Sequence, residues 1–158
     1  MTVLTDEMKR LIEQQRLGFV ATVCPDGTPN VSPKGTVCVL DDGRLMFADI
    51  RSPGTVANLR RNPGIEVNVV DPFVRKGYRF KGRAEVLEAG VEFERLVAVF
   101  AERGMPDAPR RIRAVVVMRV DQARPLISPG YDRDTDEAAM RARWVQHYLG
   151  NGDAGKLE

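Results

Sequence analysis

Histidine, cysteine and tryptophan are scarce in this chain, which holds one His, two Cys and one Trp in 158 residues. A lone histidine, His147, argues against a metal centre built on several histidines and against a conventional hydrolytic triad. It reads as a surface residue of the last helix. Cys24 and Cys38 lie in neither a CxxC nor a zinc-ligand spacing, so both read as reduced packing residues. Long apolar runs are absent too: none approaches the roughly 18 residues that a membrane span requires. The stretch from Met1 to Arg10 is polar and carries no signal-peptide pattern, and a cytoplasmic location without a membrane partner is expected. Charge of one sign is also lacking. A formal net charge of +2 argues against a nucleic-acid partner, and the pairs Arg60-Arg61 and Arg110-Arg111 read as solvated faces of helices or loops.

A hydrophobic fraction of 43% beside a charged fraction of 29% is ordinary for a globular domain, and the chain is long enough to bury a core without disulfide staples. We place one domain at residues 1–149 and read 150–158, Gly-rich and polar, as a flexible tail. Thr5 as N-cap, acids in the first turn, and Met8, Leu11 and Ile12 on one face predict a short helix over Asp6 to Gln15, closed by Gly18. Phe19 to Cys24, the turn Pro25-Asp26-Gly27-Thr28 and the strand from Asn30 form a first hairpin. The next strand, Val31 to Leu40, is interrupted by Pro33 and Gly35, and Asp41-Asp42-Gly43 turns it into a strand through Phe47.

Further along, Ile65, Val67 and Val69 alternate with polar residues. So do Tyr78, Phe80, Gly82, Ala84 and Val86 against Arg79, Lys81, Arg83 and Glu85, with the small Gly82 and Ala84 suited to a crowded wall. Phe93, Leu96, Val97 and Phe100 make the core stripe of a helix over about 91–103. Arg113 to Val120 reads as a buried strand, Ser128 to Asp132 as a rigid loop, and 136–149 as a last helix capped by Asp134 with Glu137 three residues on. The expected architecture is α+β: a six-stranded antiparallel split β-barrel with Greek-key character and flanking helices.

The stretch richest in chemistry runs from Asn30 to Pro63. Ser32 and Lys34 sit on one strand; the strand Leu45 to Asp49 then delivers Arg51, Ser52, Pro53, Gly54 and Thr55. These read as a cationic entry, an N-cap, a Pro at the first helical position and exposed amides. Free N–H groups and the helix dipole both favour an anion there. A phosphorylated ligand along a barrel edge is the expectation.

With those residues placed, the chain resembles the FMN-binding split-barrel family, the group related to pyridoxamine 5′-phosphate oxidase. The resemblance runs from Gly18-Phe19-Val20-Ala21-Thr22 to the strand Gly77-Tyr78-Arg79-Phe80-Lys81-Gly82 and follows the family's order of elements. It implies a homodimer with flavin mononucleotide at the subunit interface, each flavin touched by both chains. Carried over by position, Ser32, Pro33, Lys34 and Gly35 line the flavin from one strand, with Ala48, Asp49 and Ile50 beside the ring. Thr55 and Asn58 match the phosphate-side and anchoring positions, and Arg51 is added as a charge partner on physical grounds. Tyr131 or Trp144 is a candidate for stacking near the partner subunit's flavin. No catalytic side chain is named, because flavin itself accepts hydride.

Vitamin B6 oxidation is not expected. Asn30-Val31-Ser32-Pro33-Lys34-Gly35 departs from the family strand motif ending in Leu-Lys-Gly, and Gly150 to Glu158 lacks the C-terminal Trp and Arg-Leu segment. The first reading is a small FMN-dependent oxidoreductase moving hydride or electrons between a reduced nicotinamide and a small acceptor. The second is a non-catalytic FMN carrier or store. A split barrel that binds haem or deazaflavin instead stands third.

Overall fold

The computed structural model describes residues 3–150, so the expected tail, apart from Gly150, lies outside the described residues. Helix α1 spans Asp6–Gln15 and starts as its sequence dictates, with the Thr5 hydroxyl accepting from the Met8 amide at 3.3 Å. Its end differs from expectation. Arg16 takes the left-handed conformation that closes the helix, at φ 50°, and Gly18 instead opens strand β1 (Gly18–Val23), where the side chains of Val37 and Val67 crowd its Cα. Any bulk there would push into two buried valines.

Seven strands form the sheet, one more than the six expected: β1, β2 (Pro29–Lys34), β3 (Cys38–Val39), β4 (Arg44–Asp49), β5 (Gly64–Asp71), β6 (Lys76–Leu87) and β7 (Ala114–Ile127). The expected strand Val31 to Leu40 is two strands separated by a turn at Gly35 and Thr36. The reason lies in pairing: the sheet order is β2-β1-β5-β6-β7-β4-β3, and every pair is antiparallel. The halves of that segment therefore sit at opposite ends of the order, yet residues 35–37 are all that joins them. Three residues span at most about 11 Å. The sheet has to curl into a half-barrel whose two ends meet at Gly35–Val37.

Curling gives the sheet two apolar faces. Inside lie Val20, Leu45, Phe47, Val67, Phe80, Val116 and Met118, closed by Leu4 and by Ile12 of α1. Outside, Cys38, Met46, Ala48, Val115 and Val117 pack on Leu96, Val97 and Phe100 of α3 (Val91–Glu102). Strands β4 and β7 are buried on both faces, which is why their sequences read as unbroken apolar runs rather than alternation. Strand β7 runs seven residues past the expected Val120, to Ile127, because β6 pairs with it throughout, through a bulge at Lys81/Gly82. At that bulge Gly82 is obligatory: a Cβ would overlap the carbonyl oxygen of Arg119 on β7.

Helix α2 (Pro53–Arg61) follows β4 directly. The four-residue helix α4 (Ala108–Arg111) was not expected, and the loop at 128–132 is a short 3-10 turn, Pro129–Arg133. Helix α5 (Glu137–Leu149) is capped by Asp136, whose carboxylate accepts from the Ala139 amide at 2.7 Å. Asp134, the expected cap, instead ends the 3-10 turn at φ 53°. Among the described residues no helix is long and apolar enough to cross a membrane.

Candidate functional site

Strand β4 ends at Asp49, and a tight Asp-x-x-Ser turn carries the chain into α2: the Asp49 carboxylate accepts from the Ser52 amide at 2.6 Å. This bond fixes Ile50 and Arg51 on the connecting loop. Pro53 opens the helix, and among the described residues the amides of Gly54 and Thr55 meet no acceptor. Ser52 holds the N-cap position as expected, but its hydroxyl does not cap. Instead it accepts from Lys34.

Lys34 is the centre of the site. It is 6% exposed, and its Nζ donates to the Ser32 hydroxyl at 2.6 Å and to the Ser52 hydroxyl. Among the described residues no carboxylate oxygen lies within 4.0 Å of it. Burial pushes the ammonium below its ordinary value near 10.5, and the nearby charge of Asp49 only partly offsets this. A buried cation satisfied by hydroxyls alone is an arrangement that an anion would complete. Ser52 also heads α2, where the Gly54 and Thr55 amides are free.

The expected site residues divide along the pleat, since successive side chains on a strand point to opposite faces. Ser32 and Lys34 pair with Val20 and Gly18 of β1 and turn toward the α2 corner; Pro33 pairs with Phe19 and turns to the outer face. Gly35 is exposed in the turn between β2 and β3. Ala48 is buried against the α3 cluster, with its amide donating to the Thr36 hydroxyl at 3.0 Å. Of the segment expected beside a ring, Ile50 alone is left partly open, and Arg51 is exposed.

Thr55 and Asn58 share the buried face of α2 at 3% and 5% exposure. The Asn58 amide donates to the Thr22 hydroxyl at 3.1 Å and to Cys24 Sγ at 3.6 Å, which ties α2 to β1. The structure thus brings together Ser32, Lys34, Asp49 and Ser52 at one corner, with Arg51 and Thr55 close by along the chain. Asn58 is turned into the fold.

Thr36, not singled out in the sequence, ties the turn after β2 to β4 through the Ala48 backbone. Tyr131 and Trp144 are engaged within their own chain. The Tyr131 hydroxyl donates to the Val74 carbonyl at 2.6 Å with Lys76 over the ring, and the Arg75 guanidinium lies 3.4 Å from the Trp144 ring centre. A cavity of about 360 Å³ between α1 and the β6–β7 ladder is lined by Glu7, Arg10, Asp71, Lys76, Glu137 and Arg141 among others. Two internal ion pairs, Lys76–Glu137 at 3.2 Å and Arg141–Asp71 at 3.4 Å, engage four of these six charged residues.

A family model described as pyridoxamine 5′-phosphate oxidase matches residues 4–126. Among curated proteins, the uncharacterized protein MJ0282 of Methanocaldococcus jannaschii is 33% identical over 89 residues, and the match spans 55% of this chain and 58% of that relative's length. Among solved structures, HupZ of Group A Streptococcus is 34% identical with a TM-score of 0.70, over 79% of this chain and 95% of that one. An FMN-binding protein from Syntrophomonas wolfei subsp. wolfei, 17% identical with a TM-score of 0.62 over 76% of this chain and 84% of that one, shares the fold.

Proposed function

The chain belongs to the pyridoxamine 5′-phosphate oxidase family of split barrels, and from that premise we propose that it binds FMN at the β4–α2 corner and works as a small FMN-dependent oxidoreductase. The observation that carries this reading is Lys34: a residue 6% exposed whose ammonium has only hydroxyl partners. A phosphate monoester bears close to two negative charges. Lys34, Arg51 and the free amides of Gly54 and Thr55 supply donors of the matching kind. Bound flavin would supply a ring able to take and give hydride. The protein's part is to hold the phosphate, to offer the Ile50 side chain and backbone as a wall, and to exclude water. The reduced nicotinamide is the proposed donor and a small acceptor the proposed outlet.

The homodimer belongs to the same proposal. Phe19, Val23 and Val31 are 47%, 37% and 61% exposed on the outer face of β1 and β2, and Phe19 stands opposite Pro33 in the ladder. An apolar face of that kind, continuous with the flavin-lining strand, suits a second copy of the chain. A cytoplasmic location accords with the two free cysteines.

The test is anaerobic. Flavin-loaded protein is mixed with NADH or NADPH, and bleaching of the flavin band is followed. Reduction well above the rate of free FMN supports the oxidoreductase. A rate equal to that of free FMN overturns it in favour of a flavin carrier, and a protein that takes up no flavin sinks both.

A further inference from the structure

We infer that the cleft formed by Arg51, Arg110, Arg111 and Arg113 beside Ile50 is a subsite for the diphosphate of a dinucleotide ligand. It rests on the flavin reading only in identifying that ligand as the reduced nicotinamide. The cleft measures about 470 Å³, and these five residues line it.

Two segments distant in sequence converge there. Arg51 comes from the β4–α2 loop, and Arg110, Arg111 and Arg113 from α4 and the two residues that join it to β7. A helix C-terminus attracts cations, which would account for Arg110 and Arg111. It does not account for Arg51 or Arg113. The backbone beneath is anchored: Ala108 is fully buried, Ile112 is 7% exposed, and the Arg113 amide donates to the Asp49 carbonyl at 2.9 Å. The backbone that carries Arg110, Arg111 and Arg113 is therefore anchored rather than a loose loop.

Charge is unbalanced in the cleft. Among the described residues, Arg111 alone of the four has a carboxylate within 4.0 Å, Asp107 at 3.4 Å. Three guanidinium groups remain uncompensated, and like charges held together favour an anion between them. The planar fork of guanidinium matches phosphate oxygens two at a time. A diphosphate offers charge and donor demand of that size; the single phosphate of FMN is served by Lys34 and the α2 amides, with Arg51 at the border of the two places and Arg110 and Arg113 left for the second anion. Ile50 and Arg51 border both places. A ligand whose diphosphate lies in the cleft has its other end within reach of the proposed flavin wall.

The experiment titrates inorganic pyrophosphate, by calorimetry, into flavin-loaded full chain and into its Arg110→Gln/Arg113→Gln variant, with FMN affinity and circular dichroism measured on both. The expected result is saturable pyrophosphate binding that weakens by about tenfold or more in the variant. Binding should also weaken with added salt and be displaced by NADPH, with FMN affinity and the dichroism spectrum unchanged. Pyrophosphate affinity equal in the two proteins overturns the inference. So does a parallel fall in FMN affinity, which would assign these arginines to the flavin phosphate. If the chain takes up no flavin, the same titration on the purified protein still decides: loss of pyrophosphate affinity in the variant upholds the subsite while the oxidoreductase reading fails.

Discussion

Replacing Lys34 with methionine should separate what this residue does for the fold from what it does for the ligand. Lys34 is 6% exposed, and its ammonium is bonded only to the hydroxyls of Ser32 and Ser52. Lys34→Met keeps the length of the side chain and removes the charge. Losing two hydrogen bonds costs about 1 kcal/mol each. Against this, relief of an incompletely satisfied polar group returns about 1–3 kcal/mol, and the freed Ser52 hydroxyl can cap α2, worth about 1 kcal/mol. The sum lies between no change and a gain of about 2 kcal/mol. A structural ion-pair lysine would behave otherwise, since stranding its partner costs about 3–5 kcal/mol. Flavin affinity should move the other way, falling by about 1.5–3 kcal/mol, or roughly tenfold to over a hundredfold. Urea unfolding of the flavin-free protein and quenching of FMN fluorescence on binding measure the two quantities. A variant that loses more than about 2 kcal/mol of stability while binding FMN as before would refute the reasoning.

Three further outcomes are expected. FMN affinity should depend on pH through Lys34. Burial lowers its pKa in the free protein and a bound phosphate raises it again, so affinity is level below the free-state pKa and falls as pH climbs through it; titrations from pH 7 to 10 would expose a flat profile if Lys34 is not in contact. Gly82→Ala should destabilise the protein by about 3 kcal/mol or prevent folding, because the new methyl meets the β7 backbone at Arg119; thermal unfolding checks this, and a change under about 0.5 kcal/mol would contradict the register. Burial pushes the Cys38 thiol up to about 11, so at pH 8 iodoacetamide should label the half-buried Cys24 well before Cys38, with Cys38 reacting once the protein is unfolded. Mass spectrometry reads the order.

Much of the fold was legible because local pattern and tertiary role agree. The Thr5 cap, the Phe93-Leu96-Val97-Phe100 stripe and the alternation of β6 each name one element and one buried face. The misreadings share a cause, namely structure set by partners distant in sequence. Gly35 marks locally where Val31 to Leu40 is interrupted, but that its halves become two strands at opposite ends of the sheet follows from their pairing. Asp121 to Arg124 look like loop residues, yet they continue β7 because β6 supplies their hydrogen bonds. At the site, the cationic strand residue, the turn and the open helix start could be read directly. That the Ser52 hydroxyl serves Lys34 rather than its own helix, and that Asn58 turns back to Thr22, depends on which faces the curled sheet brings together. Arg110 and Arg111 are exposed, as read from the sequence; that Arg51 lines the same cleft depends on the fold.

A crystal structure of the chain grown with FMN should show a phosphate oxygen about 2.8 Å from the Lys34 ammonium, with the Gly54 and Thr55 amides on the same group. Flavin bound elsewhere, or a β4–α2 corner still filled by the chain's own side chains with flavin in excess, would contradict that placement.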